Sequence, residues 1–155
     1  MNPCLRHSAA LLLLTLVLLP GLPGLAGDSP AGEAKFEAQL VWGTNEEKAP
    51  NAELKPITAE TEKRLKGLPF KWQHYFEVKR RQFTVAQDGV QRIRLSKDCT
   101  IIVKKLANDM VEVTLLGQDK TVGSIKQKLP AGETLVLGGN AENYTSWFVV
   151  LRQVK

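Results

Sequence analysis

The run Thr100-Ile-Ile-Val-Lys-Lys-Leu106, the turn Ala107-Asn108-Asp109 and the run Met110-Val-Glu-Val-Thr-Leu-Leu116 decide the fold. Both runs are rich in β-branched residues, which suit a pleated, half-buried surface. Asn108-Asp109 between them tolerates the positive φ of a tight turn. The three pieces together predict an antiparallel hairpin.

The same texture extends in both directions. Downstream, Gly117 to Lys120 reads as a turn, Thr121 to Leu129 as a strand and Thr134 to Leu137 as another, broken by Gly138-Gly139-Asn140. Trp147 to Val154 is a continuous apolar run, the mark of a central strand buried on both faces. Upstream, Ile93 and Leu95 alternate with Arg92 and Arg94, after an Asp88-Gly89 turn and before a Lys97-Asp98 turn. Phe76 and Val78 fall in one phase, and Phe83 and Val85 in the other. A bulge near Arg80-Arg81 would reconcile them. Phe36, Ala38, Leu40 and Trp42 share one face of a first strand, with Glu37 and Gln39 opposite. Asn45 to Pro56 reads as a loop.

One helix is expected, from Thr58 to Leu68. Thr58 caps it, Glu60 and Glu62 lie in its first turn, Lys63, Arg64 and Lys66 near its end, and Gly67 stops it. Leu65 and Leu68 are placed on its inner face. The sum is a mainly β chain of about eight short strands, turning roughly every 8–12 residues, with one short helix near the N-terminus. That cadence implies an antiparallel sandwich or barrel-like domain.

The first 26 residues have another character. Arg6 precedes an apolar run from Ala9 to Leu19, followed by Pro20, Gly21, Pro23 and Gly24. Gly24-Leu25-Ala26 offers small residues for cleavage after Ala26, so residues 1–26 read as a secretory signal peptide. The run is well short of the ~20 apolar residues of a spanning helix. No later segment is apolar enough to span. Residues 27–34 read as a flexible leader and 35–155 as a single β-rich domain. The expected address is secreted or periplasmic.

Cleavage at that point leaves 129 of 155 residues, enough for one domain with its own core. It removes one of 21 basic residues and none of 16 acidic ones, leaving a net charge of +4. So mild an excess does not mark a nucleic-acid binder, but it suits a protein that meets anionic surfaces. Cleavage also takes Cys4 and His7, leaving Cys99 and His74 as the mature thiol and imidazole. No internal disulfide follows from one cysteine. A His/Cys zinc site lacks ligands, and neither a metal nor a cofactor is implied. Ser29, Ser96, Ser124 and Ser146 lie in no nucleophile elbow, and Gly138-Gly139 lacks the Lys and helix of a phosphate loop. Cys99 reads as a small buried thiol, not as the partner of His74 in a dyad. No catalytic residue is assigned. The one catalytic option left open is a pair of carboxylates in a small hydrolase acting on cell-wall or other polysaccharide.

Binding features are easier to find. Arg80, Arg81, Arg92 and Arg94, with Lys79, Lys104 and Lys105, are basic residues in strand-like sequence. If Ile93, Leu95, Ile101 and Val103 point inward, Arg92, Arg94 and Lys104 point outward as a positive stripe. Trp72 and Tyr75 lie in a polar run and are the aromatic surface candidates, whereas Trp42 and Trp147 lie in apolar strands and read as core. Asn143-Tyr144-Thr145 matches the acceptor pattern for N-glycosylation, which matters only in a eukaryotic secretory route. Leu129-Pro-Ala-Gly-Glu-Thr-Leu-Val-Leu-Gly-Gly139 resembles the Gly-Glu/Gln-Thr-apolar-apolar-apolar-Gly-Gly stretch of bacterial outer-membrane secretins. The resemblance is confined to those residues and implies a bacterial envelope setting, not membership of that family. The expectation is therefore an exported, non-enzymatic β-domain of the envelope or extracellular space. It would bind a protein or an anionic polymer through a sheet face, with Arg80, Arg81, Arg92, Arg94, Trp72 and Tyr75 as contacts.

Overall fold

A computed structural model describes residues 32–49, 51–140 and 145–155. Residues 1–26, read as a signal peptide, residues 27–31 of the expected leader, and Asn143 and Tyr144 lie outside the described residues.

The described chain is mainly β. Nine strands form two antiparallel sheets, with one short helix, in a sandwich-like arrangement. The hairpin that opened the sequence reading is β5 (Cys99–Lys105) and β6 (Met110–Gly117). Ile101 faces Leu115 and Val103 faces Val113 across it. Asn108 and Asp109 carry φ of 58° and 57°, and Gln118 and Asp119 carry 48° and 62° in the next turn. Positive φ at both central residues matches a turn to the right-handed twist of its strands. These two turns attach β5 to β6 and β6 to β7 (Lys120–Lys128). With β4 (Val90–Arg94) they complete a four-stranded sheet ordered β4-β5-β6-β7.

The other sheet runs β2-β3-β1-β9-β8. Its members are β1 (Ala34–Thr44), β2 (Lys55–Pro56), β3 (His74–Val85), β8 (Thr134–Asn140) and β9 (Ser146–Gln153). The ninth strand, β2, is a two-residue pairing with Phe76 and Glu77 inside the segment read as a loop. The leader also ends earlier than read, because Ala34 already pairs with Val85 and is buried.

Between the sheets lies one core. Ala34, Phe36, Ala38, Leu40, Val85, Leu135, Val149 and Leu151 meet Leu95, Ile101, Val103, Val111, Val113, Leu115 and Leu129. Full burial of each Val, Leu, Ile or Phe contributes about 1.5–3 kcal/mol, so this layer supplies most of the stability. The disulfide-free reading needed such a core.

On the far face of the five-stranded sheet lies α1 (Ala59–Lys66). Thr58 caps it by accepting a hydrogen bond from the Thr61 amide, and Gly67 ends it. Leu65 is fully buried against Val41, Tyr75, Phe148 and Val150, but Leu68 lies beyond the helix and is exposed. Helix ending at Gly67 frees Leu68 from the face it was expected to share. The helix also makes β1 more than half buried. Val41 and Gln39, opposite the core residues, are 0% and 3% exposed. Gln39 is satisfied there: its amide donates to Glu77 at 2.9 Å and its carbonyl accepts from Thr61 Oγ1 at 3.0 Å. A buried amide left unpaired would cost about 1–3 kcal/mol, so this relay helps to fix how α1 sits on the sheet. β9 is central, with Val149 and Leu151 in one core and Phe148 and Val150 in the other.

The phase change in β3 is real, but its position differs. The register slips between Leu40 and Val41, where Leu40 pairs with Lys79 and Val41 with Glu77. Val78 is the extra residue, so the bulge precedes Arg80-Arg81. Both arginines have ordinary partners, Gln39 and Ala38.

Candidate functional site

The sequence-derived contacts do not converge on one surface. Arg80 is paired to Gln39 and lies on the helix-covered side of its sheet. It donates to Glu77 at 2.7 Å and reaches Glu37 at 3.5 Å. The hydrogen bond to Glu77 raises the guanidinium pKa still further above its ordinary value. Arg81, one residue on, points to the other side and is exposed. Tyr75 is 5% exposed and belongs to the helix-side core, so it is not a surface contact. Burial pushes its phenol pKa up. Trp72 is half-buried against the same cluster, its ring 5.6 Å from that of Phe148. The polar run around these two rings misled the reading because Phe148 of β9 and Leu65 of α1 pack against them from other elements.

Arg92 and Arg94 do share a face. In β4 they alternate with Ile93, which packs into the core. The register aligns them with Thr100, Ile102 and Lys104 of β5, then Glu112, Thr114 and Leu116 of β6, then Ser124, Lys126 and Lys128 of β7. This is the outer face of the four-stranded sheet. It carries Arg92, Arg94, Lys104, Lys126 and Lys128 against the carboxylate of Glu112 alone, among its strand residues. The bases of β4 and β7 stand along the two edges, flanking a middle strip of Thr100, Ile102, Thr114 and Leu116. Arg92 also reaches Asp119 at 3.4 Å, an exposed pair of little weight. Arg94 does more for its own turn. Its Nε donates to the Ser96 carbonyl at 3.2 Å and its terminal nitrogen to that of Lys97 at 3.1 Å.

Comparison with protein-family models, curated proteins and solved structures found no match.

A second feature escaped the sequence reading. A cleft of about 470 Å³ opens between the sheets at one end of the sandwich. Leu40, Trp42, Val78 and Trp147 line it from the five-stranded sheet. Ser96, Asp98 and Cys99, with Gly117 and Gln118, line it from two turns of the other sheet. The Gln118 amide donates to the Asp98 carbonyl at 2.9 Å and ties those turns into one ledge. Trp42 and Trp147, read as core, are half-buried partners in the β1–β9 register and form one wall. Alternation placed Trp42 on the inward side of its strand, and the continuous apolar run placed Trp147 in a buried one. What both missed is that, at this end, the space facing them is a cleft.

Cys99 is 7% exposed at this cleft, and burial pushes its thiol up to about 11. Burial thus favours the protonated, neutral thiol at ordinary pH. Among the described residues, no hydrogen bond links it to His74, and no three His, Cys, Asp or Glu side chains gather to hold a metal. A raised pKa favours the protonated thiol in the folded state. The linked stability is complete below the ordinary pKa of 9.0 and is lost as pH rises toward about 11. Urea unfolding of the wild type is expected to show stability falling across that window. Cys99→Ala removes this contribution, so its profile should be flatter, although Tyr75 still adds to the decline. An equally steep decline in the variant would exclude Cys99 as a cause.

The carboxylates have other work. Glu37 and Glu77 both bind Arg80, Glu37 also accepts from Gln82, and Glu60 binds Arg152 at 2.8 Å. These ion pairs tie β1, β3, α1 and β9 together.

Proposed function

We propose that this chain is an exported, non-enzymatic binding domain that holds an anionic polymer against the outer face of its four-stranded sheet. The carrying observation is the charge of that face, five bases against one carboxylate on four adjacent strands. Its inner side belongs to the core, and on the outer side Thr100 and Leu116 are buried while the five basic side chains stand exposed. Rows of cations on opposite edges of a twisted sheet suit an extended polyanion, whose charges repeat along its length. The secretory pattern of residues 1–26 supports the export half of the reading.

The test uses heparin as the probe polyanion. Lys104, Lys126 and Lys128 are the residues to change, because Arg94 also secures a turn. The triple alanine variant should lose about tenfold or more in heparin affinity at low ionic strength, with little change in melting temperature. Wild-type binding should itself weaken as salt shortens the screening length to about 8 Å. Unchanged heparin affinity in a folded triple variant would rule out the face as the binding surface.

A further inference from the structure

We infer that the cleft between Trp42 and Trp147 is a second binding site, for a small amphiphile with an apolar body and a hydrogen-bond-donating, ammonium-type head. The inference does not depend on the basic sheet face, which lies on the opposite side of the four-stranded sheet from the cleft.

The volume, about 470 Å³, lies within the roughly 300–1,000 Å³ of small-ligand sites. Its inner lining is Leu40, Val78, the two indoles and the neutral Cys99 thiol, which suits a hydrocarbon or an aromatic ring. Two separate features of the fold shape this lining. The β3 bulge inserts Val78 as an unpaired residue and places it at the cleft, where it stays 37% exposed. Bulges serve to re-aim side chains in this way. On the same wall the Trp147 ring lies directly on the backbone of Gly139. A Cβ there would clash with ring atom Cζ2 and stand 2.6 Å from Cε2. The absence of a side chain at Gly139 is what lets the indole lie over β8.

The head group follows from the rim. Asp98 is the one charged side chain among the described residues that line the cleft. Its carboxylate is half exposed, and its nearest cation, Lys97 Nζ, is 3.9 Å away and almost fully exposed. So open a pair leaves the carboxylate free to accept from a ligand. Ser96 Oγ accepts from the Asp98 amide and keeps a second lone pair that can accept from an ammonium hydrogen. An indole face also attracts a cation. A carboxylate or sulfate head would instead meet Asp98 as a like charge.

Decylammonium, decanol and decanoate share one apolar body and differ in the head. Titration followed by tryptophan fluorescence below their aggregation concentrations compares them directly. Decylammonium should bind roughly tenfold tighter than decanoate, with decanol between them. Asp98→Asn should shrink the ammonium-to-carboxylate ratio to about twofold while leaving decanol unchanged. Val78→Phe, at an exposed bulge position that tolerates a larger side chain, should weaken all three about fivefold or more by filling the cleft. Melting temperatures establish that both variants are folded. Equal binding of the three probes, a ratio untouched by Asp98→Asn, or full binding by Val78→Phe would each overturn the assignment. Loss of heparin binding in the lysine variants bears on the other surface alone.

Discussion

Phe148→Ala is expected to lower unfolding stability by about 3–5 kcal/mol, the largest effect of any single substitution considered. Phe148 is 1% exposed at the centre of the helix-side core. Its ring centre lies 4.5 Å from that of Phe70, 5.6 Å from that of Trp72 and 6.0 Å from that of Tyr75. Two glycines on the flanking strands make the slot it fills. A Cβ at Gly43 would come within 2.9 Å of the ring, and one at Gly138 within 3.0 Å. Those contacts vanish together in the alanine variant, and the surrounding aromatic groups are braced by separate strands and cannot all collapse inward. An eight-residue helix is not stable in isolation, so α1 should loosen with them. A urea titration measures the loss as a lower midpoint. The same titration followed by far-ultraviolet dichroism reports whether helix signal goes first. A loss below about 1 kcal/mol would mean that Phe148 does not organise the second core.

Gly139→Ala should cost about 1–3 kcal/mol, although it adds a single methyl group. The added Cβ would occupy the place of the Trp147 ring, not that of a flexible side-chain end. Either the indole swings off β8 or the strand pair separates, and Ser146, whose hydroxyl donates to the Gly139 carbonyl, resists the second response. A displaced indole also changes the cleft. The variant should therefore show an altered tryptophan emission maximum in the folded state and weaker decylammonium binding. A stable variant with unchanged emission would show that the ring has room to spare.

Much of the fold is legible in the chain because it is set by neighbours. Alternation in Phe36 to Trp42 placed the first strand, and the unbroken run in β9 marked it as buried on both sides. Asn108-Asp109 located a hairpin through a backbone preference held within two residues. Thr58 and Gly67 bounded a helix for the same kind of reason. Leu68 and Tyr75 were misread where a residue's surroundings come from another element. Leu68 looked inward by spacing, yet the helix stops before it. Tyr75 looked exposed among polar neighbours, yet Phe148 and Leu65 cover it.

The candidate sites divide in the same way. Arg92, Arg94 and Lys104 were legible as one stripe because strands β4 and β5 are adjacent in sequence and in space. Lys126 and Lys128 were not, since their membership depends on the register of β7. Arg80 resembled the others in sequence, but the helix side of the sheet claims it for Glu37 and Glu77.

The sequence by itself thus determined the strand cadence, the turns, the helix ends, the expectation of export and the shortage of catalytic residue types. All of these rest on composition or on interactions within a few residues. Only the tertiary structure decided that Val78 is the bulged residue, that both faces of β1 are buried, and that Trp42 and Trp147 stand together at a cleft. Each of those outcomes depends on which distant segments pair and at what register, and the energies that choose the register arise only when the sheets pack.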